Sequence, residues 1–563
     1  MSRKMAAMSQ SSPIGDGAWR SHSASTRAPE ALGMRGMVAS AHPRAAVVGT
    51  AVLEQGGNAF DAAIAVAAAE GVLLPMMCGL GGDAFVVLYD AGRQELHALN
   101  GSGVAASGAT REQYAARGER LMPLDGIHSI GVPGALGVYE TIWKRWGSLP
   151  WGDLWAPAIR LAEEGVVVSP WVSRWLGERA DVLRRFPHSA RLFLPGGRPP
   201  APGERWAAPD LGRSLRAVAR GGAETLYRGE LGERVFTFLR REGALFESGD
   251  FGRQLDETFV YRPIATDYRG FTVYETGPVS QGFLLLSQLN ILEGFALGGL
   301  ALLGADRIHL LVEAKKLAFA DRNRHAGDPS FVRWPLEELI GKAHAARRRV
   351  EIDPARARLP EGALVPEHAA DTSYFAVVDR AGNAVSFIHS LSAAFGSGVV
   401  AGDTGITLNN RVGRGFSLDE SHPNVLGAGR RTMHTLNAFL VCREGQPWLV
   451  GGTPGGDQQT QWSTQVLSSV IDHGLSPQEA VEAPRWFSFP GTDPVNLGLP
   501  AVVRVEDRVS DATRRELADR GHVIETLGPW AGGGAFQLIQ VDHGRGVLRG
   551  GSDPRPGGLA LGL

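Results

Sequence analysis

Only two cysteines, Cys78 and Cys442, occur in 563 residues. Two thiols cannot build a disulfide framework, and their spacing matches no zinc pattern, so they point to a reducing compartment. Net charge is equally scarce. At −2, with Lys and Arg scattered rather than clustered, the chain has no electrostatic footprint for nucleic acid or an anionic membrane. A membrane span needs about 18–20 uninterrupted apolar residues. The longest candidate, around Ala62–Leu74, is short, Ala-rich and broken by Glu70. Met1 to Leu32 contain no apolar h-region of the ~7–15 residues a secretory signal needs. Residues 1–35 therefore read as a flexible leader, and the expectation is a cytoplasmic protein without a membrane partner. The 15 histidines include no HExxH and no ligand-spaced pair on a predicted helix, so neither metal nor cofactor is expected. The glycine-rich GLGGDAF and GAGRR lack the strand–GxGxxG–helix context of a nucleotide site and read as turns.

What is present is apolar material: 44% hydrophobic residues suffice for a large core, in one large fold or two or more ordinary domains. Ordered structure is expected from Gly36. Arg44–Gln55 has helical apolar spacing and stops at Gly56-Gly57. Asn58 suits an N-cap for a buried helix over Ala59–Ala69, with Asp61 favouring its dipole. Met76–Asp90 reads as a glycine turn feeding a strand. Gly131–Val260 is mostly helical, Tyr261–Thr276 strand-like, and Pro278–Gly298 and Asp306–Asp321 helical. Ile352–Ala370 is charged and Pro-rich with no apolar period, and reads as a surface segment or tail. From Thr372 onward, short apolar runs alternate with Gly, Asn and Asp turns, the pattern of a sheet built from hairpins. Helices follow at Gln459–His473 and Ser476–Ala483.

Taken alone, Thr372 at the start of a strand is ordinary β-propensity. Its surroundings say more. GMVASAHPRAAVVGTAVLEQGGNAFDAAIAV, GLGGDAFVVLYD, GVPGALGVYETIWKRWG, ETGPVSQGFLLLSQLNILEGF, FADRNRHAGDP, TSYFAVVDRAGNAVSFIHSLSAAFGSGVVAGDTGITLNN, GGTPGGD and GGSDPR follow one another in family order. On these segments the chain resembles the γ-glutamyltranspeptidases along nearly its whole ordered length.

The resemblance implies an α/β (α+β) fold, a four-layer αββα N-terminal-nucleophile hydrolase sandwich. It implies one precursor cut between Asp371 and Thr372 into a large fragment, 36–371, and a small one, 372–563, that stay together. Thr372 would be the nucleophile. Its own α-amine, with a reference pKa of about 7.7–8 and free only after the cut, would be the base. Ser390, eighteen residues on, stands where the family has a second, orienting hydroxyl. The backbone N–H groups of Gly455 and Gly456 map onto the oxyanion hole, where glycine allows close approach.

Five positions depart from the family pattern. Ser102 stands where transpeptidases carry the Arg that grips the glutamyl α-carboxylate, and Arg414 where they carry the Asp that holds the α-amine. Ser392 replaces an Asn, while Met433 and His434 replace the paired serines that also touch the carboxylate. Each lost charge-assisted bond is worth roughly 1.5–3 kcal/mol. An efficient glutathione-cleaving enzyme is therefore not expected. Arg411 and Arg414, flanking a flexible Gly413, suggest an anionic acyl group lacking a free amine; two arginines solvated on a loop are the bland alternative.

The expectation is an autoprocessed Thr amidohydrolase or acyltransferase acting on a small oxamate-, oxalyl- or dicarboxylic acyl-type substrate. Three alternatives stand beside it. One is a C–C bond hydrolase making proline-derived antibiotic units, another a genuine γ-glutamyl hydrolase or transpeptidase, and the third an inactive scaffold homologue.

Overall fold

Strand Ala370–Asp379 explains the layering in this computed structural model, which describes residues 26–358, 370–489 and 501–563. Successive side chains of a strand point to opposite faces. Tyr374, Ala376 and Val378 enter one apolar cluster with Leu440, Val450 and Ile539 of a second sheet and with Leu436 and Ala438 just before it. Phe375 and Val377 enter another, with the helical Ile64, Val66 and Leu136. A strand buried on both faces reads as a continuous apolar run, as AVVD and SFIHSL do.

The first sheet runs, edge to edge, Leu559–Gly562, Gly36–Ser40, Ala370–Asp379, Ala384–Ala393, Asp83–Asp90, Glu95–Gly101 and Phe259–Tyr261. The second runs Ala31–Gly33, Val547–Ser552, Gln537–Asp542, Gln446–Gly452, Phe439–Arg443, Phe271–Glu275 and Ile264–Tyr268. Every neighbouring pair in both is antiparallel. Helices Pro43–Glu54, Ala59–Leu73 and Ala135–Trp146 cover the first sheet. Phe283–Leu292 and Gln459–His473 cover the second, with Ala305–His325 packed outside them. The four layers are helix, sheet, sheet, helix, as expected.

Local chemistry sets the elements around strand Ala370–Asp379. Asn58 accepts from the Phe60 and Asp61 N–H groups at 2.9 and 3.0 Å while Asp61 accepts from Asn58 N–H at 3.0 Å, a closed capping box. The helix it starts, Ala59–Leu73, buries every residue except Gly71.

Two boundaries differ from the sequence reading. Order begins before Gly36: Ala31–Gly33 pairs with Val547–Ser552, and Glu30 binds Arg549 at 2.8 Å. Part of the expected leader is thus an edge strand, held by a partner more than 500 residues away; residues 1–25 lie outside the described residues. The helix expected over Pro278–Gly298 spans only Phe283–Leu292. Its N-terminal stretch is drawn into backbone pairing, with Gln281 N–H donating to His434 O at 2.9 Å and Ser280 Oγ to Leu436 O at 2.6 Å. Most of the charged segment before Ala370 lies outside the described residues. Among those described, no helix is long and apolar enough to cross a membrane.

Candidate active site

Thr372 sits at an irregularity between strands Ala370–Asp379 and Ala384–Ala393. Asp371 faces Ser392 and Ser373 faces His389, so Thr372 alone stands opposite both Ser390 and Leu391. An extra residue on one strand bends it and re-aims side chains. Here the Thr372 Oγ1–H donates to Ser390 Oγ at 3.0 Å, and Ser390 Oγ also accepts from the Ser392 N–H at 2.8 Å. Ser392 holds φ at +88°, a region that costs a non-glycine residue backbone strain. Both hydroxyls are buried, Thr372 at 2% exposure and Ser390 at 0%.

Behind Ser390 lies a buried charge cluster. Ser390 pairs in register with Asp83, whose carboxylate is fully buried. Asp83 Oδ2 accepts from Arg411 Nε at 3.0 Å and from His434 Nε2 at 3.1 Å, and Oδ1 from the Gly103 N–H at 2.9 Å. Burial works to raise the Asp83 pKa, but the bonds from His434, Arg411 and Gly103 together hold it below the usual carboxylate range. Burial, with Arg411 beside it, pushes the His434 imidazole down to about 4. The two shifts do not act together at neutral pH. There His434 is a neutral N–H donor, and the charge facing Asp83 is the Arg411 guanidinium.

Arg414 donates Nη1 to the Ser392 carbonyl at 2.7 Å. Arg411 and Arg414 both lie in the short helix Arg411–Gly415 and are buried, at 2% and 5% exposure, so the solvated-loop alternative is excluded. Gly413 is no hinge either: a Cβ there would overlap the Pro123 carbonyl, so glycine is needed for close approach. Ser392 Oγ and His434 Nδ1 are buried without a hydrogen-bond partner among the described residues. Each such atom is expensive unless something polar reaches it.

The other predicted positions join this cluster through the backbone. Ser102 is fully buried, its N–H on Asn100 Oδ1 at 2.8 Å, and its carbonyl accepts from Gln254 Nε2 at 3.2 Å and Arg431 Nε at 3.3 Å. Met433 is tied by its N–H to Asn424 Oδ1 at 2.8 Å. Gly455 has φ +134°, and a Cβ there would collide with the Trp462 ring. Gly456 opens a short turn, Gly456–Gln458, packed against strand Ala370–Asp379. Its carbonyl accepts Gln281 Nε2 at 2.9 Å, and buried Arg322 braces both Gln281 and Asp457. Because Gln281 N–H also binds His434 O, the glycine loop and the charge cluster share one support.

Sequence reasoning did not name Asp83 or Glu70. Asp83 lies within a motif read only as a turn, and Glu70 was noted only for interrupting an apolar run. The signal available for both was an isolated acid inside an apolar stretch, since such acids are almost never buried without a partner.

Comparison with known proteins agrees with this architecture. The family model described as gamma-glutamyltranspeptidase matches residues 45–563. The chain is 40% identical to the glutathione hydrolase-like YwrD proenzyme of Bacillus subtilis, over 94% of this chain and 99% of that one. It is 33% identical to the oxamate amidohydrolase proenzyme of Klebsiella pneumoniae, over 94% and 98% of the two chains. Among solved structures, the cephalosporin acylase from Bacillus halodurans superposes with a TM-score of 0.87 at 36% identity, covering 97% of this chain and 99% of that one.

Proposed function

The chain belongs to the gamma-glutamyltranspeptidase family, as an N-terminal-nucleophile hydrolase whose proenzyme relatives imply processing into fragments of one precursor, and we propose that its cut falls between Asp371 and Thr372. In this reading Thr372 Oγ1 attacks the Asp371 carbonyl, the acyl group shifts from nitrogen to oxygen, and water hydrolyses the ester. Residues 36–371 and 372–563 remain associated, because the central strands of the first sheet come from both.

The freed α-amine of Thr372 then takes the proton from its own hydroxyl as that oxygen attacks the substrate acyl carbon. Ser390 orients the hydroxyl, and the Gly455 and Gly456 N–H groups receive the developing oxyanion. The tetrahedral adduct expels the amine, and water or a second amine resolves the acyl-enzyme.

The acyl group is small and acidic. The observation that carries this is the buried Arg414, whose guanidinium is bonded to the Ser392 carbonyl two residues from Ser390. The unsatisfied Ser392 Oγ and His434 Nδ1 favour a polar acyl group over a plain hydrocarbon chain. Ser102 and Met433 stand where the family resemblance puts parts of a glutamyl clamp. An oxamate-hydrolysing relative fits a compact anion without an α-amine. A glutathione hydrolase-like relative keeps γ-glutamyl turnover as the rival outcome.

A denaturing gel and N-terminal sequencing test the cut. The small fragment should begin Thr-Ser-Tyr-Phe and carry about a third of the 60.0 kDa chain, and Thr372→Ala should leave one band. Processed enzyme should release ammonia from oxamate or cleave a dicarboxylic monoacyl amide, and Arg414→Ala should lower that kcat/KM by ~10–100-fold. γ-Glutamyl-p-nitroanilide turned over faster than either acid would refute the acyl assignment.

A further inference from the structure

We propose that Glu70 is a positioning residue that anchors the new N-terminus once the chain is cut. The proposal rests on cleavage before Thr372. Ser373 and His389, directly paired across the two strands, point away from Thr372 and Ser390 into the helix layer. There both meet one carboxylate oxygen. Ser373 Oγ donates to Glu70 Oε2 at 2.7 Å, and His389 Nε2 contacts the same oxygen at 2.8 Å. Glu70 Oε1 accepts from Ser40 Oγ at 2.7 Å. One carboxylate on helix Ala59–Leu73 thus fastens strands Gly36–Ser40, Ala370–Asp379 and Ala384–Ala393 at the level of the nucleophile.

The far side of the network fixes the imidazole. Tyr139 OH contacts His389 Nδ1 at 2.9 Å, and burial pushes the Tyr139 hydroxyl pKa well up, so it stays protonated. A Tyr139 O–H turned toward Nδ1 leaves the Nε2 side of the His389 ring to Glu70. Glu70, Ser373 and His389 are all fully buried, where a bond to a charged acceptor is strongest and its loss most costly.

Cleavage makes this clasp matter. In the continuous chain the ladder runs past Thr372, through Asp371↔Ser392 and Ala370↔Ala393. The cut detaches those two pairs from the nucleophile strand. The Ser373↔His389 pair then becomes the first that holds it, and it is the pair Glu70 clasps. Chain ends fray unless tied down, and a nucleophile displaced by about 1 Å can lose on the order of 10²-fold in rate. The carboxylate supplies behind the strand what the severed ladder supplied ahead of it.

Hydrogen exchange of residues 373–376, read by mass spectrometry, separates this role from general packing. Ser373→Ala should speed exchange by ~10–100-fold in the processed protein, the loss of one charge-assisted bond at the first remaining pair. In a Thr372→Ala background, where the chain stays whole, the same change should alter exchange by less than ~3-fold. Ser373→Thr, which keeps the hydroxyl, should restore the wild-type rate. Glu70→Gln should follow Ser373→Ala; if it does not fold, the Ser373 pair of measurements decides alone. Equal acceleration in cut and uncut chains, or none in the cut chain, overturns the proposal while leaving the cleavage reading intact. A small fragment beginning anywhere but Thr372 overturns both.

Discussion

Replacing Asp83 by Asn tests the charge cluster beside Ser390. The Asn carbonyl can still accept the Gly103 N–H, but its amide would face Arg411 Nε and His434 Nε2, donor against donor. The guanidinium would lose its buried carboxylate. Removing one partner of a buried pair costs about 3–5 kcal/mol. Coulomb attraction at about 4 Å in an effective dielectric of 20 gives a similar ~4 kcal/mol. Arg411→Met should cost somewhat less, because His434 can then take a proton and serve as the counter-ion: Arg411 is the second largest cause of its depressed pKa, after burial. The double variant Asp83→Asn/Arg411→Met removes both charges, and buried pairs replaced whole are often near neutral. It should therefore lose at least ~2 kcal/mol less than the two single losses combined. Urea unfolding midpoints in the uncut Thr372→Ala background measure this without fragment dissociation. Additivity within ~0.5 kcal/mol would refute the pairing and, with it, the account of why Arg411 is buried.

Acid should destabilise the protein well above the carboxylate range. His434 and His42 are pushed down to about 4 and His522 to about 3, all chiefly by burial, from an ordinary value of 6.5. The unfolded chain therefore takes up these protons first. Stability present above pH 6.5 is lost as pH falls from 6.5 toward 4, by on the order of 3 kcal/mol for His434 alone. Thermal midpoints flat from pH 7 to 4.5 would contradict this; the depressed pKa of Asp83 adds its loss only below that window. Gly82→Ala should abolish or greatly slow processing, because its Cβ would overlap the Ser390 carbonyl and neither backbone can yield; cleavage at the wild-type rate on a denaturing gel would count against it. Gly455→Ala, which adds a Trp462 collision to a φ of +134°, should lower the thermal midpoint and cut turnover of processed enzyme by ~10²-fold, and unchanged kinetics would remove that loop from the oxyanion site.

How much of this was legible in the sequence depends on how far apart the interacting residues lie. In the hairpin carrying both, Ser390 follows Thr372 by eighteen positions across a turn containing Gly382-Asn383, so alternation aligns the two hydroxyls. Asn58 with Asp61, and Ser476 with Glu479, announce their helices through contacts three residues long. The helix Gln459–His473 likewise falls where its apolar spacing puts it. Asp83 is different: its partners Arg411 and His434 are 328 and 351 residues away, and those of Glu70, Ser373 and His389, are 303 and 319 away. No local period links such pairs, so in the sequence the two arginines read as substrate ligands or solvated charges, and nothing local points to a cation buried against an acid from another strand. Yet the constraint was present on one side. A carboxylate in an apolar run that must be buried requires a cation or a set of donors at its level in the fold. GLGGDAF and AAAEGVLL each required such a partner; only the antiparallel register of the first sheet decides that Asp83 meets it beside Ser390 and Glu70 beneath Thr372.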